Sequence, residues 1–175
     1  MTHEATERAA VGQGAPPPLV LFVSHLNTGA SIVAEAILRH AAQGRVRATS
    51  AGEGSFLDVV HPVALECLHA HRVPTEGLHS KGWGEFFGLA KPPVRFLITL
   101  GEVYASRVNW SPNTLIANWN TPDPAALVGQ ESDIRSAFEE TYGKLQTRIQ
   151  RFLALQWEGM EDPVLQEALA DIGSR

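Results

Sequence analysis

The chain contains 175 residues, of which 44% are hydrophobic and 19% are charged, and it carries a net charge of −5 at pH 7. These values predict one globular domain with a full core and exclude a disordered or fibrous protein. The acidic balance offers no basic surface for nucleic acid or anionic lipid, and no apolar stretch is long enough to span a bilayer. We therefore expect neither nucleic acid nor a membrane among its partners.

The ends of the chain differ in composition from its central part. Residues 1–17 are polar, rich in alanine and glycine, and end in consecutive prolines, which predicts a flexible leader. This leader lacks the basic start and apolar core of a signal peptide, and the lone Cys67 excludes an internal disulfide, so we expect a cytoplasmic protein. We assign residues 18–156 to a single domain and residues 157–175 to an acidic, amphipathic C-terminal tail.

Apolar periodicity predicts strands that alternate with helices along the domain. Residues 19–23 form a continuous apolar run typical of a buried strand, and apolar residues at helical spacing follow from Ile32 onward. Later strands are predicted over residues 45–50, 95–100 and 114–118. Later helices are predicted from His61-Pro62 to Val73-Pro74, within residues 80–87, and over residues 134–152.

This alternation of strands and helices predicts an α/β fold with a parallel sheet covered on both faces. In such sheets, ligands bind outside the carboxyl ends of the strands. Three predicted loops leave strand ends of this kind, over residues 24–30, 101–110 and 119–130. We expect the functional site to lie among these loops.

The polar loop between the first strand and the first helix is the most informative segment of the chain. A strand–loop–helix of this kind directs backbone N–H groups and a helix N-terminus at an anion. We therefore predict an anion-binding loop. Its residues are Ser24, His25, Leu26, Asn27, Thr28, Gly29, Ala30 and Ser31.

The residues around this loop match a known pattern. The pattern has a strand, then Cys-x5-Arg-Ser, then a helix that contains Ala-Glu; here Ser31 and Ala34-Glu35 match, and Asn27 matches an asparagine within the loop. Over residues 19–155 the chain thus resembles the low molecular weight protein tyrosine phosphatases and the thioredoxin-coupled arsenate reductases that share their fold. The resemblance implies a three-layer α/β/α sandwich with a four-stranded, mainly parallel sheet, and a left-handed backbone conformation at Asn27.

Three further segments support the resemblance. Trp119 and the run Pro122-Asp123-Pro124 resemble the loop that carries the family's general acid, so Asp123 falls on that position. An aspartate between two prolines is also well suited to a turn or to the start of a helix. The other matching segments are Ser80-Lys81, Glu85-Phe86 and Leu97-Ile98-Thr99.

The chain departs from the family at the positions that carry its reaction. Ser24 stands where the family has its cysteine nucleophile, and Ala30 stands where it has the arginine that clamps the oxyanion. Gly101-Glu102 stands where an arsenate reductase would have a Cys-Asp pair. The joint loss of nucleophile, clamp and resolving thiols predicts an inactive relative.

Other chemistries remain open from the residues alone. Ser24 could act as a substituted nucleophile, and a Ser24–His25–Asp123 triad would need spatial proximity that sequence does not establish. His69 and His71 do not share a helix face, and the remaining histidines are scattered, so we predict no metal site and no cofactor.

Three functions are consistent with these observations. The leading hypothesis is a non-catalytic family member that acts as an oxyanion-binding or regulatory module, with an oxyanion, a phosphorylated ligand or a protein as its partner. The alternative is a phosphatase or arsenate reductase-like enzyme with an altered mechanism that uses Ser24 and Asp123, assisted by His25 or Glu102. In the third, the cleft binds nothing and the surface docks a protein partner.

Overall fold

A computed structural model describes residues 15–53, 59–87, 91–105 and 108–175 of the chain. Most of the predicted leader, residues 1–14, lies outside the described residues. The strands are β1 (Leu19–Ser24), β2 (Arg47–Gly52), β3 (Val94–Thr99) and β4 (Leu115–Asn118). The α-helices of the described part are α1 (Ala30–Ala41), α2 (Pro62–Ala70), α3 (Glu131–Ala154) and α4 (Asp162–Ser174).

The four strands form one parallel sheet in the order β2-β1-β3-β4. Strand β1 pairs with a neighbour on each side, and all six of its residues are buried, as its continuous apolar run predicts. Because the strands are parallel, the loops that follow them meet at one edge of the sheet. The predicted α/β fold with a four-stranded parallel sheet is confirmed.

The larger core lies between one face of the sheet and the α-helices. Phe22 and Phe96 project from the sheet into this core, and Phe138 and Phe152 of α3 meet them there. Helices α1 and α2 contribute their apolar faces to the same cluster, which explains why both were visible as periodic patterns. Among the described residues, no helix combines the length and apolar character that crossing a bilayer requires.

The opposite face of the sheet carries a smaller core. Leu21 and Leu97 lie at its centre, and the rings of Trp83, Phe86 and Trp110 pack against it. Trp83 and Phe86 belong to a short 3-10 helix, Trp83–Phe86, within the segment predicted to be helical over residues 80–87. These aromatic residues cover the sheet face that would otherwise be exposed to water.

The segment predicted as a C-terminal tail contains α4, which packs beside β4. Leu165 and Leu169 are fully buried in the larger core. The buried Trp119 donates its indole N–H to the Leu169 carbonyl at 3.2 Å, so α4 is joined to the end of β4 by a specific contact.

The second strand begins later than the sequence predicts. Arg45, predicted as its first residue, donates its backbone N–H to Ala42 in the turn after α1. At its other end the strand continues to Gly52, whose N–H is bonded to the Lys81 carbonyl. The pairing with neighbouring backbone, which sequence periodicity does not contain, therefore determines both ends of β2.

Candidate anion-binding loop

The loop after β1 lies at the carboxyl edge of the sheet, where the sequence places it. Ser24 is the last residue of β1, and Ala30 is the first residue of α1. Most of the predicted loop residues are buried; Leu26 is half-buried, and His25 is exposed. Asn27 adopts the left-handed backbone conformation with φ of 58°, as its match to the family's loop asparagine implies.

The Ser24 hydroxyl is buried within the loop and bonded to two neighbours. Its Oγ lies 2.7 Å from the Ser31 Oγ and accepts the Asn27 N–H at 3.2 Å. Neither neighbour is a base, because a hydroxyl and an amide N–H do not take a proton from a serine near neutral pH. The contacts of Ser24 therefore fit a loop-stabilising residue rather than an activated nucleophile.

Asn27 connects the loop to two other segments of the chain. Its Nδ2 donates to Ser31 Oγ at 2.9 Å and to Ser50 Oγ of β2 at 2.8 Å. Its Oδ1 accepts the Lys81 N–H at 2.9 Å. The Nδ2 group and the Oδ1 atom of this buried amide are therefore both hydrogen-bonded, which stabilises the left-handed conformation of Asn27.

A buried carboxylate lies behind Asn27. Glu35 of α1 is completely buried and accepts a hydrogen bond from Ser50 Oγ at 2.5 Å. Its carboxylate forms ion pairs with Lys81, with an Nζ–Oε2 distance of 3.4 Å, and with Arg39 one turn along α1. Burial lowers the pKa of the Lys81 ammonium below its usual value of 10.5, although the Glu35 charge acts in the opposite direction.

Glu35 and Ser80-Lys81 match the family pattern in the sequence, but the match alone does not indicate what these residues do. The structure brings Glu35 and Lys81 together behind the loop, where they support Asn27 through Ser50. The signal available in the sequence was a glutamate on an otherwise apolar helix face, since such a residue is rarely buried without a cationic partner.

Asp123 lies against the other side of the loop. Its Oδ1 accepts the Ala30 N–H at 3.0 Å, at the first residue of α1. The same oxygen accepts the Ala125 N–H at 3.1 Å and so caps a short 3-10 helix, Pro124–Ala126. The loop and the predicted acid position therefore do meet, but the carboxylate is engaged with backbone N–H groups.

Gly29 makes this close approach possible. A Cβ atom at this position would collide with Asp123 Oδ1 and would lie 2.8 Å from the Ala125 Cβ. The absence of a side chain at Gly29 and the small side chain of Ala30 together let the Asp123 carboxylate reach the helix N-terminus.

His25 is not placed as a triad would require. Its imidazole is largely exposed, and its Nδ1 lies 3.9 Å from Glu53 Oε2, while Asp123 is bonded to Ala30 and Ala125. A Ser24–His25–Asp123 relay would need the imidazole between the hydroxyl and the carboxylate. The possible Ser24–His25–Asp123 triad is therefore wrong.

Glu102, the other residue considered as an assistant, lies elsewhere. Together with Gly101 it lines an open cavity of about 620 Å³ at the ends of β3 and β4. The remaining lining residues come from β4, the loop that follows it, α3 and α4, and none belongs to the loop after β1. These residues are Asn118, Asn120, Arg148, Ala170, Gly173 and Ser174. Among the described residues, this cavity joins the loops after β3 and β4, whereas the loop after β1 meets the loop after β4 at Asp123.

The fold is that of an α/β protein whose strand–loop–helix lies at the carboxyl edge of a parallel sheet, the edge at which such proteins bind their ligands. The sequence model of the low molecular weight phosphotyrosine protein phosphatases matches residues 19–160. The chain belongs to this family. Among curated protein sequences no significant relative was found.

Solved structures agree with this assignment. The chain is similar to a thioredoxin-dependent arsenate reductase of Corynebacterium glutamicum, with 26% identity and a TM-score of 0.54, covering 78% of this chain and 63% of that one. It is also similar in fold to YfkJ of Bacillus subtilis, with 21% identity, a TM-score of 0.62, and coverage of 85% and 100%. The tyrosine phosphatase AmsI of Erwinia amylovora has 20% identity, a TM-score of 0.58, and coverage of 79% and 93%.

Proposed function

We propose that the protein is a non-catalytic member of its family and serves as a regulatory or protein-interaction module. In this proposal the loop after β1 keeps its shape, while the groups that would carry out phosphoryl or arsenate chemistry are replaced. A tetrahedral oxyanion, free or on a phosphorylated ligand, binds only weakly to the loop. The proposal also places the protein in the cytoplasm, supported by a chain with a single cysteine.

The nucleophile position supports this proposal. The family resemblance puts a thiolate at position 24, and a serine hydroxyl needs a base to approach comparable reactivity. The neighbours bonded to Ser24 Oγ are the Ser31 hydroxyl and the Asn27 N–H. A hydroxyl in this setting stays protonated and is a poor nucleophile.

The Asp123–Ala30 hydrogen bond is the observation that carries the proposal. At the position of the family's arginine clamp, Ala30 offers no guanidinium, and its N–H is already bonded to a carboxylate of the chain itself. An arginine that meets transition-state charge in phosphoryl transfer is worth roughly 10³ to 10⁵ in rate. Position 30 therefore supplies no positive charge, and a negative charge lies at the start of α1 instead, so both catalysis and tight oxyanion binding are disfavoured.

The retained network supports a role in binding rather than a decayed fold. Asn27, Glu35 and Lys81 form a connected set of buried hydrogen bonds and ion pairs behind the loop. A helix N-terminus alone contributes about 0.3–1 kcal/mol to binding an anion at an exposed site. An oxyanion affinity near 1 mM or weaker, roughly −4 kcal/mol, is therefore expected.

Turnover of an aryl phosphate by the unmodified protein and by Ser24→Ala tests the proposal. We expect the two proteins to show the same background rate. A rate that saturates with substrate and is abolished by Ser24→Ala would instead support the enzyme with an altered mechanism. Backbone amide shifts during phosphate titration, read at residues 25–31, then separate a weak oxyanion site from a loop that binds no oxyanion.

A further inference from the structure

Three side chains with metal-ligating atoms converge between α2 and α3, away from the loop after β1. Cys67 lies in α2 and His71 directly follows that helix, while Glu139 belongs to α3. Their sulfur, imidazole nitrogen and carboxylate oxygen all lie within 4.8 Å of one another. His71 follows Cys67 by four residues, and its N–H is bonded to the Cys67 carbonyl, so the two side chains share one helix face.

We propose that Cys67, His71 and Glu139 form a binding site for a divalent cation of the zinc class. A thiolate, an imidazole and a carboxylate are the donor types that Zn²⁺ takes, whereas Mg²⁺ and Ca²⁺ prefer oxygen ligands alone. Zinc bonds of about 2.0–2.3 Å place tetrahedral ligands roughly 3.3–3.8 Å apart. The observed separations therefore require only small side-chain movements.

In the metal-free cluster, His71 and Cys67 each carry a proton on the atom that would bind the cation. The Glu139 carboxylate accepts a hydrogen bond from His71 Nε2 at 2.7 Å, and the nearby His71 and Cys67 side chains, His71 first, lower its pKa. The Cys67 thiol donates to the Phe138 carbonyl at 3.8 Å. Burial raises the pKa of the Cys67 thiol to about 12. Binding of one cation forms bonds to Sγ, Nε2 and a carboxylate oxygen, and the thiol proton leaves to the buffer.

The imidazole completes the proton balance. In the metal-free cluster a proton on His71 Nε2 faces Glu139; with the cation bound to Nε2, the neutral ring carries its proton on Nδ1 instead. No electron is transferred in this exchange. A coordinated thiol is deprotonated even when its free pKa is high, so the buried Cys67 limits the affinity without preventing binding.

The surroundings of the cluster suit a site that is held on one side and open on the other. The His71 ring stacks on Tyr142 of α3, with centroids 3.8 Å apart and planes 9° from parallel, which restricts the imidazole orientation. The side chains of His71 and Glu139 are 36% and 51% exposed, so a cation can enter and water can supply a fourth ligand.

Titration of the reduced full-length protein with Co²⁺ tests the site, because a cobalt–thiolate bond has a characteristic near-ultraviolet charge-transfer absorption. We expect this absorption to saturate at one equivalent and to be displaced by Zn²⁺. Glu139→Gln and His71→Ala should each weaken binding by about tenfold or more, and Cys67→Ser should remove the absorption. Both Glu139 and His71 lie at the protein surface, so these two variants should fold normally.

His69→Ala is the matched control. His69 lies on the same helix and is exposed, and its Nε2 lies 3.0 Å from Thr75 Oγ1 rather than in the cluster. The cobalt absorption and the Zn²⁺ affinity should be unchanged in this variant. The proposal is overturned if the unmodified protein develops no thiolate absorption, if binding survives Glu139→Gln and His71→Ala, or if His69→Ala weakens it equally.

Discussion

The Asp123 carboxylate accepts the Ala30 N–H at 3.0 Å, across 93 residues of sequence, and this bond joins the segment after β4 to the start of α1. The donor is one of the backbone groups that a helix N-terminus would present to an external anion. One backbone N–H at the end of the loop after β1 is therefore already bonded to a carboxylate of the chain itself.

Removal of this carboxylate should improve oxyanion binding. A negative charge about 4 Å from a phosphate oxygen costs about 1 kcal/mol even in water, so Asp123→Ala should tighten phosphate binding by about fivefold. Amide shifts in a phosphate titration measure the change. Asp133→Ala, which removes an exposed carboxylate from the first turn of α3, serves as the control and should leave the affinity unchanged. Equal affinities for all three proteins would contradict the idea of an internal competitor.

Gly29 should tolerate no side chain. In Gly29→Ala the new methyl group would collide with Asp123 and lie 2.8 Å from the Ala125 Cβ, so we expect a loss of about 1–3 kcal/mol in the free energy of unfolding. Urea denaturation measures this loss.

Gly143 offers the matched control. It lies in the exposed part of α3, and a Cβ there would meet nothing within 4 Å. Gly143→Ala should stabilise the protein by about 0.5–1 kcal/mol, because alanine loses less backbone entropy in a helix. If Gly29→Ala were stabilising as well, the close packing of the loop against Asp123 would be wrong.

The buried ion pair should be costly to break from one side. Glu35→Ala would leave the Lys81 ammonium buried without its carboxylate, so we expect a loss of about 3–5 kcal/mol in the free energy of unfolding. Thermal or urea denaturation checks this value. Glu140→Ala is the control, because it removes an exposed carboxylate that pairs with Lys144 one turn along α3. This variant should change stability little. A small effect at Glu35 would mean that the network behind the loop is unimportant for folding.

Stability should rise with pH just below the usual lysine range. Burial holds the pKa of folded Lys81 below its unfolded value of 10.5, so the unfolded chain binds more protons between the two values. This contribution to the free energy of unfolding is complete above 10.5 and is lost as the pH falls through the folded pKa. Urea denaturation across this range should show a positive slope that is reduced in Lys81→Met. Identical slopes in the two proteins would contradict the assignment.

The parts of the fold that the sequence revealed are those encoded over short distances. The apolar run of β1, the helical periodicity of α3 and the identity of Asn27 each depend on neighbouring residues, and all three predictions agree with the structure. Asp123 was identified as a candidate residue, but its bond to Ala30 depends on how two distant loops pack.

The proposed cation site has no signal in the sequence for the same reason. The spacing of two keeps the side chains of His69 and His71 on different helix faces, whereas the spacing of four places those of Cys67 and His71 on one face. Glu139 joins them only because α2 packs on α3, and that contact has no local signature in the sequence.

The most direct test of the central claim restores the missing reactive groups. Ser24→Cys combined with Ala30→Arg returns the nucleophile and the clamp to a loop whose shape is still held by Asn27 and the Glu35–Lys81 pair. The measurement is the steady-state turnover of an aryl phosphate by the double variant, each single variant and the unmodified protein. The account predicts turnover by the double variant and none by the unmodified protein. Saturable turnover by the unmodified protein, or an inert but folded double variant, would contradict it.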